Sequence, residues 1–214
     1  NVDFIKETNF KEQLLEIVYS SDFIMLIADD DVFIDKFEEK CHEFLEFRND
    51  WRVISLSLSL CPKYRYRGFP IITDNKWEWM PYKNRAQGYR LRIWGFPMGI
   101  IGSIFRTVDI APVIEGNKIL IPNHLEGALT HNIPPKPLMM CFDNPKVINN
   151  LANQVQTIYP DKNYGISVIE LEKSFLKGVR LSLDDIREKA KLAMSYHLMT
   201  NYKYEYSGCG LNCN

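Results

Sequence analysis

A short apolar run that ends in three consecutive aspartates constrains the fold of this chain more than any other feature. Residues 23–28 read Phe-Ile-Met-Leu-Ile-Ala, and Asp29, Asp30 and Asp31 follow at once. A continuous apolar run of this length is typical of a strand that is buried on both faces. Open α/β sheets bind their ligands at the carboxyl ends of such strands. The segment therefore predicts an α/β fold with a polar site after this strand.

The rest of the chain alternates helix signals with strand signals. Capping boxes predict helices that begin near Asn9, Asp35, Ser167 and Ser182, and Pro122 is expected to open another helix. This alternation predicts a single domain over residues 1–214, an α/β sandwich around a mixed sheet. The other predicted elements are strands at 54–60, 100–106 and 138–141, a short helix at 109–115, and a long irregular excursion at 62–99 that contains short strands.

Composition and charge narrow the classes of partner. The chain has 26 basic and 27 acidic residues, so its net charge of -1 gives no overall field that attracts nucleic acid. Five cysteines form no CxxC pair, which indicates reduced thiols and a cytoplasmic setting. No apolar run reaches the roughly 20 residues that span a bilayer, so we expect no transmembrane segment and at most a peripheral position at the inner face of a membrane.

The three aspartates predict a cation site. Adjacent carboxylates repel one another at the end of a buried strand, and a divalent cation compensates for this repulsion. Asp29 and Asp31 point to the same side if the backbone stays extended, and their oxygens suit Mg²⁺ or Mn²⁺ that bridges a diphosphate. An acidic turn that caps the next helix is the alternative, and spacing alone weighs the two equally.

Glu126 is a candidate general base. It is expected in the first turn of the helix that Pro122 opens, where the helix dipole favours an ionised carboxylate. The alternative is that Glu126 simply favours the start of a helix, and without other evidence this alternative is the stronger. His124 and His131 flank it, and we interpret them as surface histidines in preference to metal ligands.

The excursion at 62–99 is rich in aromatic and basic residues. Its aromatic rings could stack on a sugar or base, with phosphate held by Arg65, Arg67, Arg90 or Arg92. They could equally fill a secondary core. Glycines before Arg106 would let a substrate approach the backbone closely, or they mark a bulge. These glycines are Gly99 and Gly102.

Several segments, in this order, resemble bacterial glycosyltransferase-like proteins of the GT-A class, similar to family 2. The resemblance covers most of the chain. The segments are Phe23 to Phe33, the serine-alternating strand from Ile54, Trp77-Glu-Trp79, Gly95 to Gly99, Ile104 to Thr107, Pro122 to Glu126, Asn153 to Gln156 and Phe175 to Gly178.

The resemblance implies a GT-A-like three-layer α/β/α sandwich that transfers a sugar from a nucleotide-diphosphate donor to a glycan or other hydroxyl acceptor. It assigns Asp29 and Asp31 to a Mn²⁺ or Mg²⁺ site, and Asp30 and Arg106 to contacts with the donor. Glu126 takes the place of the catalytic base of inverting members. The class has a nucleotide-binding region before its aspartate motif, whereas 28 residues precede Asp29. We therefore expect either a fragment that lacks upstream strands or a chain that has lost donor binding.

Two other functions compete with glycosyl transfer. A noncatalytic GT-A-like binding or assembly protein would keep the acceptor cleft and bind no metal. A metal-dependent nucleotidyltransferase or phosphotransferase would also need clustered carboxylates and arginines, but it would release pyrophosphate or phosphate instead of a nucleoside diphosphate.

Overall fold

The computed structural model describes residues 5–28, 30–64, 70–79, 92–149, 167–192 and 204–206. The helices of these ranges are α1 (Phe10–Tyr19), α2 (His42–Asn49), α3 (Thr107–Gly116), α4 (Pro122–His131), α5 (Val168–Leu176) and α6 (Leu183–Leu192), with a 3-10 turn at Arg92–Gly95. The strands are β1 (Phe23–Leu26), β2 (Asp31–Phe33), β3 (Val53–Ser57), β4 (Lys76–Glu78), β5 (Ser103–Arg106), β6 (Leu138–Cys141), β7 (Val147–Asn149), β8 (Val179–Leu181) and β9 (Tyr204–Tyr206).

Five of the strands form one mixed sheet in the order β1-β5-β3-β6-β4. Strands β3 and β6 are parallel, whereas β5 is antiparallel to both β1 and β3, and β4 is antiparallel to β6. Strands β1, β3 and β6 therefore run in the same direction and end at the same edge of the sheet. The predicted α/β class and mixed sheet are confirmed, and the aspartates follow β1 at this edge.

Both faces of the sheet are covered, because successive side chains of each strand point to opposite faces. In β5, Phe105 packs into a cluster that includes residues of α1, α3 and α4, whereas Ile104 packs into a second cluster with Phe44 and Phe47 of α2. Helices on both faces exclude water from the interior strands and leave the ends of the strands accessible to ligands. No helix in the described parts of the chain is long and apolar enough to cross a membrane.

The alternation of serine with apolar residues in β3 is typical of a strand with one more polar face, but the structure buries both faces. All of residues 53–60 are buried. The serine hydroxyls make hydrogen bonds inside the protein: Ser59 Oγ donates to the carbonyl of Ile101 at 3.0 Å, and Ser57 Oγ accepts from the N–H of Leu60 at 3.1 Å. A hydroxyl with such a partner is tolerated in a core, so serine alternation did not indicate exposure.

Three of the four predicted helix N-caps are confirmed. The side chains of Asn9, Ser167 and Ser182 accept hydrogen bonds from N–H groups three residues later. The fourth prediction was wrong, because α2 begins only at His42, without a side-chain cap. Asp35 instead pairs with Lys146 at 2.5 Å, which draws it to the turn before β7. The pattern that begins at Ser182 predicts a helix to about residue 197; the structure describes this helix as far as Leu192, and residues 193–197 lie outside the described residues.

The described aromatic residues of the 62–99 excursion mostly fill the core, as the second interpretation held. Tyr64, Trp77, Trp79 and Trp94 are all buried. The indole of Trp77 packs edge-on against Trp94 with ring centroids 4.9 Å apart, and its N–H donates to the carbonyl of Trp94 at 3.1 Å. These rings stabilise the face that carries α1, α3 and α4, and they are not available to stack on a ligand.

Gly102→Ala is expected to destabilise the protein. Gly102 has a φ of +52°, and an added Cβ would lie 3.0 Å from side-chain atoms of Val147. The left-handed backbone alone costs about 1–2 kcal/mol for a residue with a Cβ. Gly127→Ala is the matched control, because a Cβ there meets nothing within 4 Å. Inside α4 this change should stabilise by roughly 0.5–1 kcal/mol. Urea unfolding measures the free energy of unfolding of both variants. A wild-type value in Gly102→Ala would show that this position tolerates a Cβ.

Candidate functional site

The chain turns sharply between β1 and β2, where the aspartates lie. The N–H of Asp31 donates to the carbonyl of Ala28 at 3.1 Å, and Asp31 Oδ2 accepts from the N–H of Ala28 at 3.0 Å. Two hydrogen bonds between the same residues close a turn at Asp30. Asp29 lies outside the described residues, so its predicted pairing with Asp31 around a cation stays a prediction.

The pair of carboxylates that the structure brings together is Asp30 with Asp31. The side-chain amide of Asn149 donates to Asp30 Oδ1 at 2.7 Å and to Asp31 Oδ1 at 2.9 Å. Asn149 ends β7, which pairs antiparallel with β2 so that Asn149 lies opposite Asp31. Asp31 begins a strand, so the predicted alternative of an acidic turn that caps the next helix does not describe it.

Burial sets the electrostatics of Asp31. Desolvation raises the pKa of Asp31 above its ordinary value, and the neighbouring charge of Asp30 raises it further. Hydrogen bonds from Asn149 and from the main chain of Ala28 and Gly102 act in the opposite direction, but they do not cancel the burial. A half-buried carboxylate beside a second one is costly in its ionised form, and a bound cation would relieve this cost.

The segment before β5 contacts the turn between β1 and β2. Gly102 accepts a hydrogen bond from the N–H of Leu58 at 2.7 Å, and Leu58 accepts from the N–H groups of Lys146 and Val147. Residue 58 thus joins the end of β3 to both β5 and β7. Because no side chain extends from Gly102, its backbone can lie against Val147 and reach Asp31. Gly102 was predicted to let a substrate approach the backbone, and the approach that the structure shows is that of Val147 and Asp31.

Sequence reasoning missed Asn149. The strand β7 has only three residues, Val147–Asn149, and it was not predicted. The available signal was weak: a turn with Pro145 after a buried strand, followed by two β-branched residues. Nothing in the local sequence indicates that Asn149 lies opposite Asp31, because the pairing joins residues 118 positions apart.

Glu126 lies on α4, one turn later than predicted. The helix begins at Pro122 and its first turn contains no acidic residue, so Glu126 belongs to the second turn. Its side chain is exposed, yet the surrounding protein desolvates the carboxylate and raises its pKa above the ordinary value. The helix dipole was expected to favour the ionised form, and desolvation has the larger effect here. A raised pKa makes Glu126 a stronger base once it is ionised.

Helix α3 connects the end of β5 to α4, which carries Glu126. Helix α3 begins directly after β5, beside the start of β1, where the N–H of Thr107 donates to the carbonyl of Asp22 at 3.0 Å. Near the end of α3, Lys11 of α1 donates to the carbonyl of Asn117 at 2.8 Å, and the Tyr19 hydroxyl donates to the side chain of Glu115. Helix α4 follows and packs in the same apolar cluster as α1 and α3.

The two histidines beside Glu126 make local contacts. His124 Nδ1 accepts from the N–H of Leu120 at 3.4 Å, and His131 Nδ1 lies 2.7 Å from the carbonyl of Gly127. Both are exposed, in agreement with their interpretation as surface residues. Within the described ranges, which omit Asp29, no three His, Cys, Asp or Glu side chains form a group that could hold a metal ion.

Arg106 is not brought together with Asp30 and Asp31. It ends β5 opposite Phe23, the first residue of β1, and so lies at the other edge of the sheet. Its guanidinium donates to the carbonyls of Phe47, Asp50 and Val53. These hydrogen bonds join the end of α2 to the start of β3, because each of them satisfies a main-chain carbonyl oxygen in this part of the chain. The observed contacts of Arg106 are therefore structural, and its contact with the donor stays a prediction.

Three of the four arginines predicted to hold phosphate lie outside the described residues: Arg65, Arg67 and Arg90. The structure describes only the backbone of the fourth, Arg92. Cys41, Cys61 and Cys141 are free thiols, and Cys209 and Cys213 lie outside the described residues.

One curated protein is similar to almost the whole chain. Bifunctional glycosyltransferase pgtA of Dictyostelium discoideum is 24% identical over 248 aligned positions, which cover 99% of this chain. The chain spans 29% of the length of that protein. No family model matches the chain. No solved structure matches it either. The chain is thus a distant relative of a glycosyltransferase.

Proposed function

We propose that this chain is a metal-dependent glycosyltransferase domain of the GT-A type. It would transfer a sugar from a nucleotide-diphosphate donor to a hydroxyl group of a glycan or similar acceptor. The observation that carries the proposal is the pair of carboxylates, Asp30 and Asp31, held together at the carboxyl end of β1. The distant relationship to a glycosyltransferase and the mixed sheet with helices on both faces support the same class.

The carboxylate pair suits Mg²⁺ or Mn²⁺. Both ions prefer oxygen ligands and commonly bind through one or two carboxylates together with water and substrate phosphates. Asp30 and Asp31 supply two carboxylates, and Asp29 is adjacent in the chain. Desolvation of Asp31 favours a bound cation, because the cation offsets a charge that burial has made costly. When bound, the ion would stabilise the negative charge that develops on the departing diphosphate.

Glu126 is proposed as the general base of an inverting transfer. Its carboxylate accepts the proton of the acceptor hydroxyl while the hydroxyl oxygen forms a bond to the anomeric carbon of the sugar. The bond from that carbon to the diphosphate oxygen breaks in the same step, and the nucleoside diphosphate leaves with the electron pair. A single displacement inverts the configuration of the anomeric carbon. The raised pKa of Glu126 brings it closer to neutral pH, where a general base is most effective.

Titration with nucleoside diphosphates, with and without Mn²⁺, tests the proposal. Calorimetry on the wild-type chain should detect binding of a nucleoside diphosphate that depends on Mn²⁺. A donor screen should then show release of a nucleoside diphosphate in the presence of an acceptor. Absence of Mn²⁺-dependent binding would favour a noncatalytic binding protein. Release of pyrophosphate or phosphate would favour a nucleotidyltransferase or phosphotransferase instead.

A further inference from the structure

Asn149 stands out because it is a polar side chain in an apolar setting. It is only 2% exposed, and the preceding residues of β7, Val147 and Ile148, are fully buried. A buried amide is retained without large cost only when its hydrogen bonds are satisfied. Its amide N–H groups are used on Asp30 and Asp31, at 2.7 and 2.9 Å.

We propose that Asn149 is a positioning residue that holds the carboxylates of Asp30 and Asp31 in the arrangement required for a divalent cation and the donor diphosphate. This inference rests on the proposed function. Asn149 acts through the two aspartates, and it is not itself assigned a contact with the substrate.

The chemistry of the amide fits this role better than that of other side chains. An asparagine NH₂ group has two donors, one for each carboxylate, and it carries no charge. It can hold two like charges close together without neutralising them, whereas a lysine would neutralise one of them. Each carboxylate has about four lone-pair sites, so one hydrogen bond from Asn149 leaves room for a cation. The amide is thus compatible with both the metal-free and the metal-bound protein.

The backbone makes the position of the amide precise. Asn149 lies opposite Asp31 in the β2–β7 register, and the turn at Ala28 fixes the second oxygen of Asp31. The carboxylate of Asp31 is therefore held from two sides by groups on different segments. Hydrogen-bond partners of metal-binding carboxylates typically change metal affinity or activity by about 10–100-fold when they are removed.

The test compares Asn149→Leu with Asn149→Asp and uses Ile148→Ala as the control. Ile148 is fully buried in the same strand but packs into a separate apolar cluster. All three variants should lower the melting temperature of the metal-free protein. Affinity for Mn²⁺ with a nucleoside diphosphate is then measured by calorimetry, under conditions in which each variant is folded. We expect a loss of about 10–100-fold in Asn149→Leu and no change in Ile148→Ala.

Asn149→Asp provides the second readout. A third carboxylate repels Asp30 and Asp31 without metal and can join them around a cation, so the rise in melting temperature on adding Mn²⁺ should exceed that of the wild type. Wild-type Mn²⁺ affinity in Asn149→Leu, or a wild-type Mn²⁺ response in Asn149→Asp, would overturn the role of Asn149 and leave the proposed function standing. Absence of Mn²⁺-dependent binding by the wild-type chain would instead overturn both.

Discussion

Replacement of Glu126 by glutamine is expected to lower kcat by about two to four orders of magnitude, the range typical of general bases. The amide has nearly the shape of the carboxylate but cannot accept the proton of the acceptor hydroxyl. Donor affinity should remain within about twofold of wild type, because the proposed donor contacts are at Asp30 and Asp31 and the change removes an interaction of the transition state. Steady-state kinetics with a donor and acceptor identified by screening, combined with calorimetry, separates the two quantities.

The pH dependence of the reaction gives a second measurement of Glu126. A base acts only when it is ionised, so kcat/KM should rise as pH increases through the pKa of Glu126. Desolvation raises this pKa, so the acid limb should lie above the ordinary value of 4.5 and should disappear in Glu126→Gln. Glu115→Gln is the matched control, because Glu115 is an exposed glutamate near the end of α3. An unchanged turnover in Glu126→Gln would remove this residue from the mechanism.

The change Asp31→Asn should abolish Mn²⁺-dependent binding of a nucleoside diphosphate while the protein stays folded. Loss of a carboxylate that contacts the cation is expected to weaken binding by more than about 100-fold, beyond the 10–100-fold typical of outer partners. Two effects on stability oppose each other. Removal of a desolvated charge beside Asp30 stabilises the metal-free protein, whereas one of the hydrogen bonds to Ala28 or Asn149 is lost, at a cost of about 1 kcal/mol.

The free energy of unfolding of Asp31→Asn should therefore stay within about 1 kcal/mol of wild type. Calorimetric titration and urea unfolding measure the two predicted results. Asp35→Asn makes the same substitution four residues later, where the carboxylate pairs with Lys146 in a more exposed position, and it should keep Mn²⁺-dependent binding. Wild-type affinity in Asp31→Asn would show that the carboxylate does not contribute to the cation site.

Local sequence signals predicted the elements well where those elements depend on local interactions. The caps at Asn9, Ser167 and Ser182 are confirmed because the acceptor and the N–H groups lie within one turn of each other. The cap at Asp35 failed because its carboxylate pairs with Lys146, which lies 111 positions away. The alternating pattern likewise predicted the position of β3 but not its complete burial. The burial is possible because serine hydroxyls donate hydrogen bonds to carbonyl groups in residues 97–101.

The site was predictable only in part for the same reason. The apolar run predicted a strand buried on both faces, whereas β1 is a half-buried edge strand, because it pairs only with β5 in the sheet. The position of the aspartates after this strand is a local signal, and it follows directly from the sequence. The contact that joins Asp30 to Asp31 depends on Asn149 and on the turn at Ala28, and neither follows from spacing. Arg106 was assigned a donor contact by resemblance alone, and that contact stays a prediction. What the structure adds is that its guanidinium donates to three main-chain carbonyls at the opposite end of the sheet.

The pairing of β2 with β7 has a consequence for the order of folding events. Each strand has three residues, and their register joins Asp31 to Asn149 across 118 positions of sequence. Closing so long a loop costs entropy before any contact is gained, and three residue pairs give little in return. We therefore expect the main sheet to form first and to bring the two short strands together. The carboxylate site is expected to be among the last parts of the molecule to assemble and the first to open during unfolding.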